Sequence, residues 1–291
     1  MITSMCSIHQ KYILGSPFLT HRNDFAILSF VENKKPLFAC FITVRTSSSR
    51  LPGKALAPIR GRTVIEHVID RVKPVKKADN IILCTSTDPS DDILETIAKK
   101  NSVECFRGSL KDKLARWLGA IDKFNVDYFV EVDADDVLCD PELMDLAITQ
   151  MSEKPCDLLM VPPTLICGAS AMCMSADAIR RLCEVKDTED TEYWDFFFTN
   201  SGLSFNIRNL EVSNPAFHNP RIRLTLDYPE DLELFRRIFD EFNTDTNTIP
   251  MTKIVELFER KPELVDINLF RHQQYLDKRE DNKSTVAVKK V

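Results

Sequence analysis

Three short stretches concentrate the residue types that could do chemistry. The first, RTSSSRLPGK at 45–54, gathers arginines, a lysine and serines in a loop broken by proline and glycine, directly after the apolar run PLFACFITV. A loop with free backbone N–H groups, hydroxyls and cationic side chains can hold an anion, above all a polyphosphate. Pro52 restricts the backbone between Arg50 and Lys54 and Gly53 relaxes it, which can set the two cations at a defined separation. The same composition also suits a solvated surface loop.

The second stretch, VEVDADDVLCDP at 130–141, crowds Asp133, Asp135 and Asp136 at the end of an apolar run. Carboxylates this dense repel one another, and a nearby cation relieves that repulsion. Mg²⁺ suits such a place because it takes one or two carboxylates together with substrate phosphates. Strand alternation puts Asp133 and Asp135 on one side and turns Asp136 away, provided the extended geometry persists. Asp140 before Pro141 reads as a helix N-cap, a structural role. The third stretch, RIRLTLDYPEDLELF at 221–235, ends an apolar run on Asp227 before a proline-opened helix. Asp227 suits either a cap or a metal ligand. A basic phosphate loop with carboxylates from separate strand ends is what nucleotidyl transfer requires.

These residues need a scaffold, and the pattern of apolar runs supplies one. LFACFITV, NIILCTS, VECF, DYFVEVD and DLLMVP read as strands, and IRLTLD as a further one. Between them lie helical patterns: TVIEHVIDRV, DDILETIAKKN, KDKLARWLGAIDKF and PELMDLAITQM, then PEDLELFRRIFDEF and MTKIVELFERKPELV. Alternation of this kind predicts an α/β fold with a mainly parallel central sheet flanked by helices, which binds ligands at the C-terminal ends of its strands. Residues 1–35 read as an N-terminal extension with one short helix, FAILSFVEN, residues 36–277 as the working domain, and 278–291 as a polar tail. Within the domain, about 162–215 is less regular and reads as an insertion.

Composition narrows the partners. A net charge of −6 argues against nucleic-acid binding. No apolar run reaches the ~18–20 residues of a membrane span, and the N-terminus lacks a signal-peptide pattern, so the expectation is a cytoplasmic protein away from membranes. The nine cysteines form no CxxC pair and read as reduced thiols.

RTSSSRLPGKALAPIRGRTVIEHVIDRV resembles the opening of the cytidylyltransferase family, which includes CMP-sialic acid and CMP-Kdo synthetases and the spore-coat polysaccharide biosynthesis cytidylyltransferases. CFRGSLKDKLARW, VDADDVLCDPELMD, IRLTLDYPEDLELF and LFERKPELVDIN resemble further family elements in the same order, over about residues 37–270. The resemblance implies a Rossmann-like nucleotide-diphospho-sugar transferase fold and transfer of CMP from CTP to a sugar or sugar-acid acceptor, with Mg²⁺ as cofactor and pyrophosphate released, for surface polysaccharide precursors. Carried over by motif, Arg50 and Lys54 act on the triphosphate beside Arg45 and Ser48. Thr85, Ser86 and Arg107 lie near the nucleoside, and Asp135 and Asp227 bind Mg²⁺. Ser47 stands where the family commonly has glycine, and Glu131, Asp133 and Ala134 replace a frequent Arg, Thr and Gly. Family members often form homodimers through the region after the central strands. The rings of YWDFFF could serve that end, and a buried core helix explains them equally well. Two other readings stand beside this one. Asp133-Ala134-Asp135 is the DxD pattern of glycosyltransferases that use nucleotide-sugars, and a degenerate relative would bind nucleotide without turnover.

Overall fold

The structure, a computed structural model, describes residues 35–48, 50–169, 172–282 and 286–289. The chain divides into two units, Met1–Lys35 and Pro36–Val291, and every described strand and helix belongs to the second. The helix expected at FAILSFVEN lies outside the described residues.

The chain enters along β1 (Phe38–Thr43), all six residues of which are buried. Phe38, Cys40 and Ile42 face one apolar cluster, while Ala39 and Phe41 face another, so a continuous apolar run is required here. A loop then leads to a small hairpin of β2 (Pro58–Ile59) and β3 (Arg62–Thr63), and to α1 (Val64–Val72). Thr63 and Glu66 close a reciprocal capping box at the start of α1, with Thr63 N donating to Glu66 Oε2 at 3.0 Å. There follow β4 (Asn80–Ser86), α2 (Asp92–Lys100), β5 (Glu104–Gly108), α3 (Lys113–Phe124), β6 (Tyr128–Asp133) and α4 (Pro141–Glu153). The chain continues through β7 (Leu158–Met160), β8 (Met172–Ser175), α5 (Ala176–Val185), α6 (Asp195–Asn200) and β9 (Ile207–Asn209). Three helices complete it: α7 (Pro229–Phe242), α8 (Met251–Arg260) and α9 (Phe270–Asp281).

The main sheet has the order β5-β4-β1-β6-β8-β7-β9. β5, β4, β1 and β6 run parallel, β8 is antiparallel to both β6 and β7, and β9 is parallel to β7. The chain therefore has the expected α/β, mainly parallel, Rossmann-like sheet, and the loops after β1, β4 and β6 share one edge. The 162–215 region is not set apart from this sheet, since it contributes β8 and β9. Three of the YWDFFF rings are core: Trp194, Phe197 and Phe198 are buried, and Trp194 meets Trp117 edge-on at 5.1 Å, while Tyr193 and Phe196 are half-buried.

Three sequence expectations are corrected here. Residues 222–227 do not form a strand. Leu224 N donates to Cys167 O and Leu226 N to Asp135 O, so the segment is bonded to loops rather than to a ladder. It approaches so closely that a Cβ on Gly168 (φ +83°) would stand 2.2 Å from Leu224 O, which requires glycine there. MTKIVELFERKPELV is not one helix: α8 stops at Arg260, and a 3₁₀ segment from Pro262 to Ile267 follows, because proline's ring and missing N–H interrupt the ladder. Finally, α9 carries regular structure past Lys278 to Asp281, into the stretch expected to be a polar tail.

Candidate active site

The loop after β1 is held by a buried carboxylate. Asp91 accepts from Thr46 N at 2.8 Å and Thr46 Oγ1 at 2.7 Å, and its other oxygen accepts from Ser86 Oγ at 2.5 Å. Burial opposes ionisation of Asp91, but these hydrogen bonds from Ser86 and Thr46 outweigh it and hold the carboxyl below its usual range. The loop closes through Gly53, whose φ of +70° suits glycine, and delivers Lys54 into the protein.

Lys54 is buried, and its Nζ donates to Asp135 Oδ2 at 2.6 Å, Leu226 O at 2.8 Å and Asp227 Oδ1 at 3.1 Å. Arg50 reaches the same Asp227 oxygen at 2.5 Å, and Arg223 reaches Oδ2 at 3.2 Å. Burial opposes the charge on Asp227, yet Lys54, Arg50 and Arg223 together hold its carboxyl below the ordinary range. Asp135 goes the other way: burial, with repulsion from Asp227 and Asp133, pushes it up to about 6 despite Lys54. Asp227 does not cap α7. Asp231 does that work, accepting from Asp227 N at 2.7 Å and Tyr228 N at 2.9 Å while pairing with buried Arg223.

The extended geometry of β6 ends at Asp133, where a turn begins, so Asp133 and Asp135 find separate partners. Lys113, on the first turn of α3, lies 2.7 Å from Asp133 and 3.2 Å from Glu131. The two carboxylates that depart from the family pattern are thus answered by one buried ammonium, which also lies 5.0 Å from the Trp117 ring. Asp140 has the structural role expected of it, accepting from Glu142 N and Leu143 N at the start of α4.

Two adjoining cavities open at this edge. One, of about 170 Å³, is bordered by Arg45, Ser47, Ser48, Arg50 and Lys54 and faces Asp133 and Asp135. The other, of about 140 Å³, shares Arg50, Asp133 and Asp135 and extends past Asp227 to Trp194 and Tyr275. Arg45 is steadied by Leu110 O at 2.7 Å and Glu192 at 2.6 Å. The structure therefore brings together Arg45, Ser48, Arg50, Lys54, Asp135 and Asp227. Thr85 and Ser86 are fully buried beneath the loop, outside both walls. Arg107 turns to α2, pairing with Asp92 at 2.6 Å and Glu95 at 3.0 Å. The walls also hold residues the sequence reading passed over: Lys113, Arg116, Glu192, Tyr193, Tyr275, Lys278 and Arg279. Lys113 and Arg116 lie inside the CFRGSLKDKLARW motif, whose helical spacing could have marked one face toward the site.

Among the described residues, no three carboxylate, thiol or imidazole side chains already converge as a metal cage. Mg²⁺ does not need one, since substrate phosphates complete its shell. Asp135 and Asp227 converge on a single cation, the Lys54 ammonium, and so present hard oxygen donors to one point. That donor set fits Mg²⁺.

The cytidylyltransferase family model matches residues 39–261. The chain belongs to the cytidylyltransferase family. It is 26% identical over 230 residues to the spore coat polysaccharide biosynthesis protein SpsF of Bacillus subtilis strain 168, covering 76% of this chain and 94% of that one. It is 30% identical over 115 residues to the 3-deoxy-manno-octulosonate cytidylyltransferase of Syntrophotalea carbinolica, covering 39% of this chain and 45% of that one. In fold it is similar to a cytidylyltransferase from Leptospira borgpetersenii, with a TM-score of 0.72 at 24% identity over 79% of this chain and 97% of that one. A CMP:2-keto-3-deoxy-manno-octonic acid synthetase solved with CTP gives 0.56 at 17% identity, over 71% and 99%. Membership in this family makes the chain a nucleotidyltransferase by class rather than a DxD glycosyltransferase. No described helix is long and apolar enough to cross a membrane.

Proposed function

We propose that this cytidylyltransferase moves CMP from CTP to a hydroxyl of a sugar-type acceptor, releasing pyrophosphate, as a step in making surface glycan precursors. The observation that carries the reading is the meeting of Lys54, Arg50, Asp135 and Asp227 beneath the loop at 45–54. The name of the spore-coat polysaccharide relative supports a sugar-type acceptor, while that of the octulosonate relative would point to a sugar acid.

In this reading CTP lies in the first cavity with its phosphates against Arg45, Ser48, Arg50 and Lys54. Arg50 and Lys54, already oriented by Asp227, neutralise charge that develops on the α-phosphate and the departing pyrophosphate. The acceptor lies in the second cavity, in line with the α-phosphorus, so positioning and charge supply most of the catalysis. Asp135 and Asp227 would hold Mg²⁺, which when bound supplies further positive charge to the triphosphate. The acceptor loses one proton as its oxygen bonds to phosphorus and the bond to pyrophosphate breaks. That proton leaves to solvent, since Asp135 is committed to the metal and is held ionised by it.

The second cavity also bears on the acceptor. Its cations are already paired, Arg50 with Asp227, Lys113 with Asp133 and Arg279 with Asp195, while Glu192 is answered by Arg45 and burial pushes the Asp136 carboxyl well up, toward its neutral form. Carboxylates beside aromatic rings suit an acceptor that offers hydroxyl or amino groups, and disfavour a carboxylate.

The test is pyrophosphate release with Mg²⁺, each nucleoside triphosphate in turn and a panel of sugars, amino sugars and sugar acids. Release with CTP alone is expected. Release with another nucleotide would keep the reaction class and sink the cytidine assignment. Nucleotide binding without turnover across the panel would identify a degenerate relative.

A further inference from the structure

Helix α9 lies beyond the part of the chain that the family model matches, which ends at residue 261. It buries no residue fully, so an apolar face is not what docks it. Polar anchors hold it from both ends: Arg271 pairs with Glu230 at 2.7 Å, and Arg279 with Asp195 at 2.6 Å. Between them Tyr275 lies under the Arg223 guanidinium at 4.9 Å, directly behind Asp227. These contacts fix the rotation of the helix and bring Lys278 to the wall of the cavity that carries Arg50 and Lys54.

The other cations of that wall are held by the protein. Arg45 is paired with Glu192, Arg50 with Asp227 and Lys54 with two aspartates, while Arg116 donates to the carbonyls of Ser109 and Leu110. Lys278, half-buried, has no side-chain hydrogen bond or ion pair among the described residues. A cation held at a cavity rim by a rigid helix, and not neutralised there, is placed to meet an anion that enters.

Resting on the proposed function, we infer that Lys278 is a triphosphate-binding residue, supplied by α9 from across the cavity to the nucleotide's phosphates. It makes α9 part of the active site rather than a tail, and it acts on nucleotide affinity, while Arg50 and Lys54 act on the transition state.

The experiment is a titration of the full chain, wild type and Lys278→Gln, with CTP and separately with CMP, in Mg²⁺ buffer without acceptor. Lys278→Gln should weaken CTP binding about tenfold, the loss of one charge-assisted contact, and leave CMP binding within about twofold. Lys278→Arg should restore most of the CTP affinity, and the thermal midpoints of all three should agree. Wild-type affinity for CTP in Lys278→Gln overturns the inference alone. Equal weakening for CTP and CMP overturns the assignment to the triphosphate. Wild-type protein that binds no CTP removes the nucleotide reading itself, and the inference with it.

Discussion

The Lys54 ammonium lies 3.1 Å from Asp227 Oδ1 although 173 positions separate the two residues. The fold closes that separation by placing the loop after β1 beside the segment that leads into α7, and Asp135 joins them at 2.6 Å from the turn after β6. One cation and two carboxylates from three distant stretches thus form the floor of the site.

Lys54→Met should leave the fold intact and lower kcat by about 10²–10³, the usual cost of removing one group that answers transition-state charge. Asp135→Asn should lower kcat similarly and also raise the Mg²⁺ concentration needed for half-maximal rate. Steady-state pyrophosphate release, alongside circular dichroism, checks both. Wild-type kinetics in either variant would place the site elsewhere.

The sequence showed the floor of the site more clearly than its walls. Lys54, Asp135 and Asp227 stand where apolar runs end, and charge in such places is conspicuous. The fate of Ser86 was hidden because its hydroxyl goes to Asp91, five residues on, rather than outward. Arg107 resembled a nucleoside contact by motif, yet its nearest charges are Asp92 and Glu95 on the adjoining helix. The apolar pattern of 222–227 mimicked a strand because the segment is buried, although its N–H groups bond to loop carbonyls. Helix α9 was invisible for the opposite reason. Its sequence FRHQQYLDKRED offers no apolar stripe, and the pairs that dock it, Arg279–Asp195 and Arg271–Glu230, are long-range.

Asp91 should govern how well the loop holds CTP. Asp91→Asn weakens the hold on Thr46 and should raise KM for CTP several-fold with a smaller change in kcat. Its folded carboxyl lies below the unfolded value of 3.8, so its contribution to stability is fully present above that value and is lost as pH falls through the folded one. Denaturant melts should therefore show wild type more stable than Asp91→Asn at neutral pH, with the gap closing below about pH 4. A gap that widens on acidification would reverse the sign of this account.

The Arg223–Asp231 pair is fully buried, and Asp231 also accepts from Asn268 Nδ2 at 2.9 Å. Asp231→Ala leaves the guanidinium without its main partner and should cost about 3–5 kcal/mol in urea unfolding. A cost under about 1 kcal/mol would mean that Asp227 alone satisfies Arg223.

Acceptor charge supplies a further check. With Arg50, Lys113 and Arg279 around the second cavity already paired to Asp227, Asp133 and Asp195, a sugar acid finds its cations taken, so kcat/KM should be higher for neutral or amino sugars than for sugar acids of the same size. Preference for sugar acids would show that the paired cations are released when acceptor binds.

The most direct measurement of the central claim is a crystal structure of the protein with CTP and Mn²⁺, the metal located by its anomalous signal. The account predicts manganese bonded to Asp135 and Asp227, with the triphosphate across Arg50 and Lys54. Manganese and triphosphate bound away from these four residues would contradict it.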